Sequence, residues 1–238
     1  MKLDILAFGA HPDDVELGCS GTIAKEISLG KKVGIIDLTR GELGTRGSVA
    51  IRNEEAAKAS QILGVTVRRN LDMRDGFFVN DEEHQIKIIE MIRNYQPEIV
   101  LCNAITDRHI DHGKGSKLVS DACFLSGLRQ IKTVFNDEAQ EAWRPKVVYH
   151  YIQWQNIEPD FVVDISEFID QKMESVMAYS SQFYDPKSNE PVTPIASKNF
   201  LDSIKYRAQD LGRLVGVEFA EGFTTERYLA VNRLGDLK

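Results

Sequence analysis

The sequence is poor in cysteine, in long apolar runs and in basic charge, and each shortage removes a class of protein. Its 3 cysteines, Cys19, Cys102 and Cys123, are an odd number set among apolar or small neighbours. That pattern excludes a disulfide framework and reads as buried free thiols. No stretch approaches the roughly 20 apolar residues of a membrane-spanning helix. The opening MKLDILAFGAHPDD meets acidic residues too early for a signal peptide, so a cytoplasmic protein without a membrane partner is expected. Lys plus Arg number 29 against 36 Asp plus Glu, a formal net charge of −7 that argues against nucleic acid as partner. The GxxxxGK[ST] phosphate loop and the dinucleotide glycine fingerprint are missing, as are HExxH and CxxC metal motifs.

What is present is a globular balance of 42% hydrophobic and 27% charged residues over 238 positions, enough chain for one large core. Short apolar runs at 3–10, 32–39, 65–71 and 98–104 read as strands. Helical spacing at 18–30, 48–64 and 82–97 separates them, with Gly30 and Gly64 as helix stops. This βαβαβαβ order predicts an α/β fold of three layers, a mostly parallel central sheet covered by helices on both faces. Further on, 112–131 reads as helix, 146–152 and 161–166 as strands, and 167–183 as an amphipathic helix with Ile169, Met173, Val176 and Met177 on its core stripe. A polar loop at 184–196, a helix at 197–216 and a short terminal strand or ordered tail complete the chain. No repeat or convincing linker divides it, so residues 1–238 are expected to form one domain.

Ionisable residues gather directly after two of these strands. AHPDDVE supplies His11, Asp13, Asp14 and Glu16, and TDRHIDH supplies Asp107, His109, Asp111 and His112. Open parallel sheets bind ligands beyond the carboxyl ends of their strands. One aspartate is explained by helix capping, but the gathering of three of the chain's 5 histidines at two strand ends is not. Two imidazoles and a carboxylate form the usual catalytic zinc set, with water in the open position. The glycine-spaced TRGELGTRGS segment and the following Arg52 add guanidinium groups suited to a carboxylate on a ligand or to internal salt bridges. EFAEGF places Glu218 and Glu221 beside Phe219 and Phe223, for the site mouth, a subunit contact or ordinary packing. His84 reads as an ordinary helix residue and His150 as part of a packed strand rim.

The ordered set AHPDDVELGCSGTI, TRGELGTRGSVAIRNEEA, DRHIDHG and VGVEFAEGF resembles the PIG-L or LmbE-like family of zinc-dependent N-acetylglucosaminyl deacetylases. Within that family it is most similar to the branch that deacetylates N-acetylglucosaminyl-malate in bacillithiol biosynthesis. The resemblance implies a Rossmann-like fold and a zinc or other divalent ion held by His11, Asp14 and His112. Asp13 is then the general base, and His109 with Asp111 a charged or proton-donating pair, Asp111 hydrogen-bonding the ring to favour the imidazolium. Arg52, with Arg46 as second choice, is assigned to the substrate carboxylate. The partner implied is a small-molecule N-acetylglucosaminide, handled by a homo-oligomer of six subunits. The alternatives are a zinc deacetylase of a different N-acetylglucosaminide and a metal-containing sugar-binding protein without catalysis.

Overall fold

Alternate residues of the first strand enter opposite cores, which makes the sheet the middle of three layers. The computed structural model describes residues 1–236. In chain order it contains β1 (Ile5–Gly9), α1 (Asp14–Ser28), β2 (Val33–Thr39), α2 (Val49–Leu63), β3 (Val67–Met73), α3 (Glu82–Tyr95), β4 (Ile99–Cys102) and α4 (Ile110–Leu125). A small hairpin follows, β5 (Val134–Phe135) and β6 (Glu138–Ala139), and then β7 (Val147–Tyr151), β8 (Phe161–Asp164), α5 (Ile169–Met177), α6 (Lys198–Val215) and β9 (Ala220–Thr225).

Leu6 and Phe8 of β1 pack with Ile88, Ile89, Leu118 and Val119 of α3 and α4, while Ile5 and Ala7 pack with Val15, Cys19 and Ile23 of α1. This is the period of two that a strand buried on both faces requires. The large sheet runs β3-β2-β1-β4-β7-β9-β8. Its first five strands are parallel, whereas β9 pairs antiparallel with both β7 and β8. The fold is therefore the expected α/β sandwich, with an antiparallel edge that the short, partly polar run at 220–225 did not announce. Because β1 lies between β2 and β4, the order reverses there and opens a crevice at the carboxyl ends of β1 and β4.

Local signals set most helix ends. Ser48, Asp81 and Ser197 accept hydrogen bonds from the backbone N–H of Ile51, His84 and Phe200, capping α2, α3 and α6. Gly64 and Gly216 close α2 and α6 in the left-handed region. Three helix boundaries differ from the sequence pattern by four residues or more. α1 starts at Asp14 rather than 18, taking the acidic residues into its first turn; α4 stops at Leu125; α5 stops at Met177, which is left exposed. The three cysteines are free and buried. Among the described residues no helix is long and apolar enough to cross a membrane.

Gly18 sits where α1 presses on β7: an added Cβ would lie 2.1 Å from the Tyr151 ring, whose hydroxyl donates to the Phe8 carbonyl oxygen at 2.9 Å. Gly18→Ala should therefore cost about 2 kcal/mol or more, as overpacking of a rigid core does. Urea unfolding measures it, and wild-type stability would contradict the close contact.

Candidate active site

The backbone turns sharply as it leaves β1. Asp13 precedes α1 with φ 116 and ψ −22 and makes no side-chain cap bond, so helix capping does not account for it. A non-glycine residue in this region is strained, and the surroundings must hold it there. The turn brings both aspartates into a cavity of about 470 Å³ whose wall also includes His11, Asp75, Arg52, His109 and His112.

Asp14 is the most heavily bonded group. Its Oδ2 accepts from the His11 N–H at 2.9 Å and from Asn103 Nδ2 at 3.0 Å, and its Oδ1 from Gln153 Nε2 at 2.5 Å. Two imidazoles also face it, His11 Nδ1 at 3.5 Å and His112 Nε2 at 3.2 Å. The far nitrogen of each ring rests on another carboxylate: His11 Nε2 lies 3.0 Å from Asp75 and His112 Nδ1 lies 2.7 Å from Asp107. Outer carboxylates of this kind fix the tautomer and leave the inner nitrogen free to ligate.

These contacts explain the proton affinities. Burial opposes charge on His112, yet the Asp14 and Asp107 carboxylates push its pKa up to about 9. Burial likewise opposes charge on His11, but hydrogen bonds to Asp111, Asp14 and Asp75 hold its pKa well above that of a free imidazole. Asp14 is held well below the usual carboxylate range: the two imidazoles outweigh burial, which acts the other way. Asp13 is different, because burial drives its pKa up to about 7 against the opposing pull of Arg52.

The expected His109 and Asp111 pair is not built as predicted. His109 caps α4, its Nδ1 accepting the Asp111 backbone N–H at 3.3 Å, and the Asp111 carboxylate turns instead to the Gly76 N–H, Lys114 and His11. Burial, together with the nearby His11 and His112, lowers the His109 pKa, which favours the neutral ring over the imidazolium. With Nδ1 accepting, its proton resides on Nε2. The arginines are also engaged. Arg52 Nη2 donates to Asp13 at 3.2 Å and to Gln182 at 2.6 Å, while Arg46 donates to the Ser181 carbonyl oxygen and the Ser188 hydroxyl, both at 2.8 Å.

Asp13, Asp14, Asp75, Asp107 and Asp111 thus converge with Arg52 and Lys114 as their fixed cations, a donor set that fits a divalent ion. Donor atoms of His11, His109 and His112 lie within 4.8 Å of one another, and so do those of His11, Asp75 and Asp111. Sequence reasoning overlooked Asp75, Asn103, Gln153 and Gln182. Asp75 and Asn103 follow β3 and β4 and Gln153 follows β7, so strand ends were the available signal; Gln182, after α5, carried none. His150 stays outside the cavity, between Ser116 and Glu226, as the rim reading had it.

The fold and this cluster define an α/β protein with a metal-ligand-rich cleft at the switch point of a mostly parallel sheet. The PIG-L family model, described as GlcNAc-PI de-N-acetylase, matches residues 6–123. Diacetylchitobiose deacetylase of Thermococcus kodakarensis is 29% identical over 189 residues, 75% of this chain and 70% of that protein. The uncharacterized deacetylase YaiS of Escherichia coli is 33% identical over 147 residues, 58% of this chain and 75% of that protein. Among solved structures, the conserved protein TT1542 of Thermus thermophilus is 35% identical with a TM-score of 0.86, covering 97% of this chain and 98% of that one. The chain belongs to the PIG-L family, and it is a deacetylase, a hydrolase of N-acetyl groups.

Arg52 stabilises the ionised form of Asp13, so Arg52→Gln should raise the Asp13 pKa from about 7 by roughly one unit or more. Side-chain carboxyl NMR titration of the metal-free protein reads this directly. An unmoved titration would contradict the pairing.

Proposed function

We propose that this chain hydrolyses the acetamide of an N-acetylglucosaminide, using a divalent ion held by His11, Asp14 and His112. The supporting observation is the convergence of the two inner imidazole nitrogens on Asp14 while each outer nitrogen is bound by a carboxylate. Two other donor sets share His11, one with His109 and His112 and one with Asp75 and Asp111; in neither does a carboxylate face both His11 and His112, as Asp14 does. The ion, zinc in this reading, would polarise the acetamide carbonyl and acidify a water.

The chain's own groups do the rest. Asp13 lines the cavity beside Asp14 with a pKa of about 7, matched to taking a proton from water and returning it near neutrality. Arg52 holds that carboxyl in place. His109 presents a neutral Nε2–H to oxygen charge developing on the substrate. Asp13, once it has taken the proton from water, delivers it to the departing amine.

For the aglycone, Arg207 is a cation that, like Arg46 and unlike Arg52, forms no ion pair with a carboxylate among the described residues. Arg207 stands where the catalytic cavity meets a second groove of about 680 Å³. Its guanidinium donates to the Trp154 carbonyl oxygen at 2.5 Å and to Asn156 Oδ1 at 3.3 Å, and no carboxylate among the described residues forms an ion pair with it. Desolvation lowers its pKa, against a weaker opposing pull from the Asp107 carboxylate. An acidic aglycone such as malate would supply one, which supports the bacillithiol-pathway substrate. The same reading carries a cytoplasmic homo-oligomer of six subunits.

Acetate release tests both levels. Asp13→Asn should retain zinc yet lose about 100- to 10,000-fold in turnover; unchanged turnover at equal zinc content would sink the assignment. The malate glycoside should exceed the methyl glycoside in kcat/KM, and Arg207→Gln should erase about 10- to 100-fold of that preference, the value of a charge-assisted hydrogen bond. Equal ratios in the two proteins would remove Arg207 from substrate recognition.

A further inference from the structure

The helix that carries Asp14 is broken, and a buried ion pair fills the break. Cys19, in the middle of α1, has φ −147 and ψ 16, so the helical hydrogen-bond ladder is interrupted there. Interruption leaves carbonyl groups before the break and N–H groups after it without helical partners, and buried groups of that kind need others. Lys172 of α5 supplies one side: its Nζ donates to the carbonyl oxygens of Glu16 at 3.2 Å and Leu17 at 2.7 Å. Glu221 of β9 supplies the other: its carboxylate accepts the N–H of Gly21 at 3.0 Å and of Thr22 at 2.7 Å. The two side chains pair with each other at 2.7 Å and are each only 3% exposed. Gly21 makes room for the carboxylate, since a Cβ there would meet Glu221 Oε1 at 3.1 Å and Ile165 at 2.7 Å.

Such a pair is a poor choice for stability alone, because stripping two charges of water offsets most of their attraction. Its location suggests a different use. The short segment ahead of the break begins with Asp14 and follows Asp13, and what fills the break fixes that segment's direction relative to the sheet. We infer that Lys172 and Glu221 are positioning residues that aim the first turn of α1, and with it the Asp14 carboxylate, at the metal position. This rests on the proposed reading of Asp14 as a metal ligand. It also gives the EGF segment a role, since Glu221 acts through backbone groups and forms no bond to the metal-ligand side chains.

Zinc affinity, measured by competition with a chromophoric chelator, is the test. Glu221→Gln keeps the shape but loses the charge, and Lys172→Met/Glu221→Gln removes both charges, so that neither is left buried alone. Both should bind zinc about 10- to 100-fold more weakly, as when groups supporting ligands are removed. At saturating zinc, kcat should fall while KM holds. A drop in melting temperature with wild-type zinc affinity in either folded variant would show a merely structural role and overturn the inference. Asp14→Ala is the control: if it binds zinc as wild type does, the ligand reading itself fails, and the inference with it.

Discussion

One buried carboxylate, Asp14, ties together the parts of the fold that would otherwise be independent. It is bonded to the turn after β1 through the His11 N–H, to the end of β4 through Asn103 and to the end of β7 through Gln153. It also faces the imidazole of His112 in α4. An ionised carboxylate in such a place is costly unless every lone pair is met. The neighbouring polar residues are there to meet that requirement, which explains why uncharged Asn103 and Gln153 matter as much as the histidines.

The same requirement shapes residues farther out. Asp75 and Asp107 each hold an imidazole, leaving the opposite nitrogen facing Asp14. Asp13 follows a different course because its principal partner is Arg52, and burial wins over that single charge. Two adjacent aspartates are thereby driven to opposite ends of the carboxyl range. Divergence of this kind between neighbouring acids is what separates a ligand from a proton acceptor.

Much of this was legible in the chain. The alternation of strands and helices set the sheet, and the two clusters at strand ends located the crevice, because both are local patterns. Asp75 was not legible, since its contact with His11 spans 64 positions and depends on how β3 lies against its neighbours. Lys172 sits on an amphipathic helix, where a lysine reads as solvent-facing; it is buried because the break in α1 offers it carbonyl oxygens. Arg46 and Arg52 both line the cavity, but apart from the Arg52–Asp13 pair their partners come from residues 181 to 188, a contact that no spacing rule encodes. β9 was missed as an inner, antiparallel strand because glycine and polar residues weaken its alternation.

Anomalous diffraction at the zinc edge from zinc-loaded crystals shows whether one ion touches His11, Asp14 and His112 together. A single peak is predicted, about 2.0–2.1 Å from His11 Nδ1 and His112 Nε2 and within bonding distance of an Asp14 oxygen. A peak coordinated instead by His11, Asp75 and Asp111, or one bonded to His109 and not to Asp14, would contradict the account.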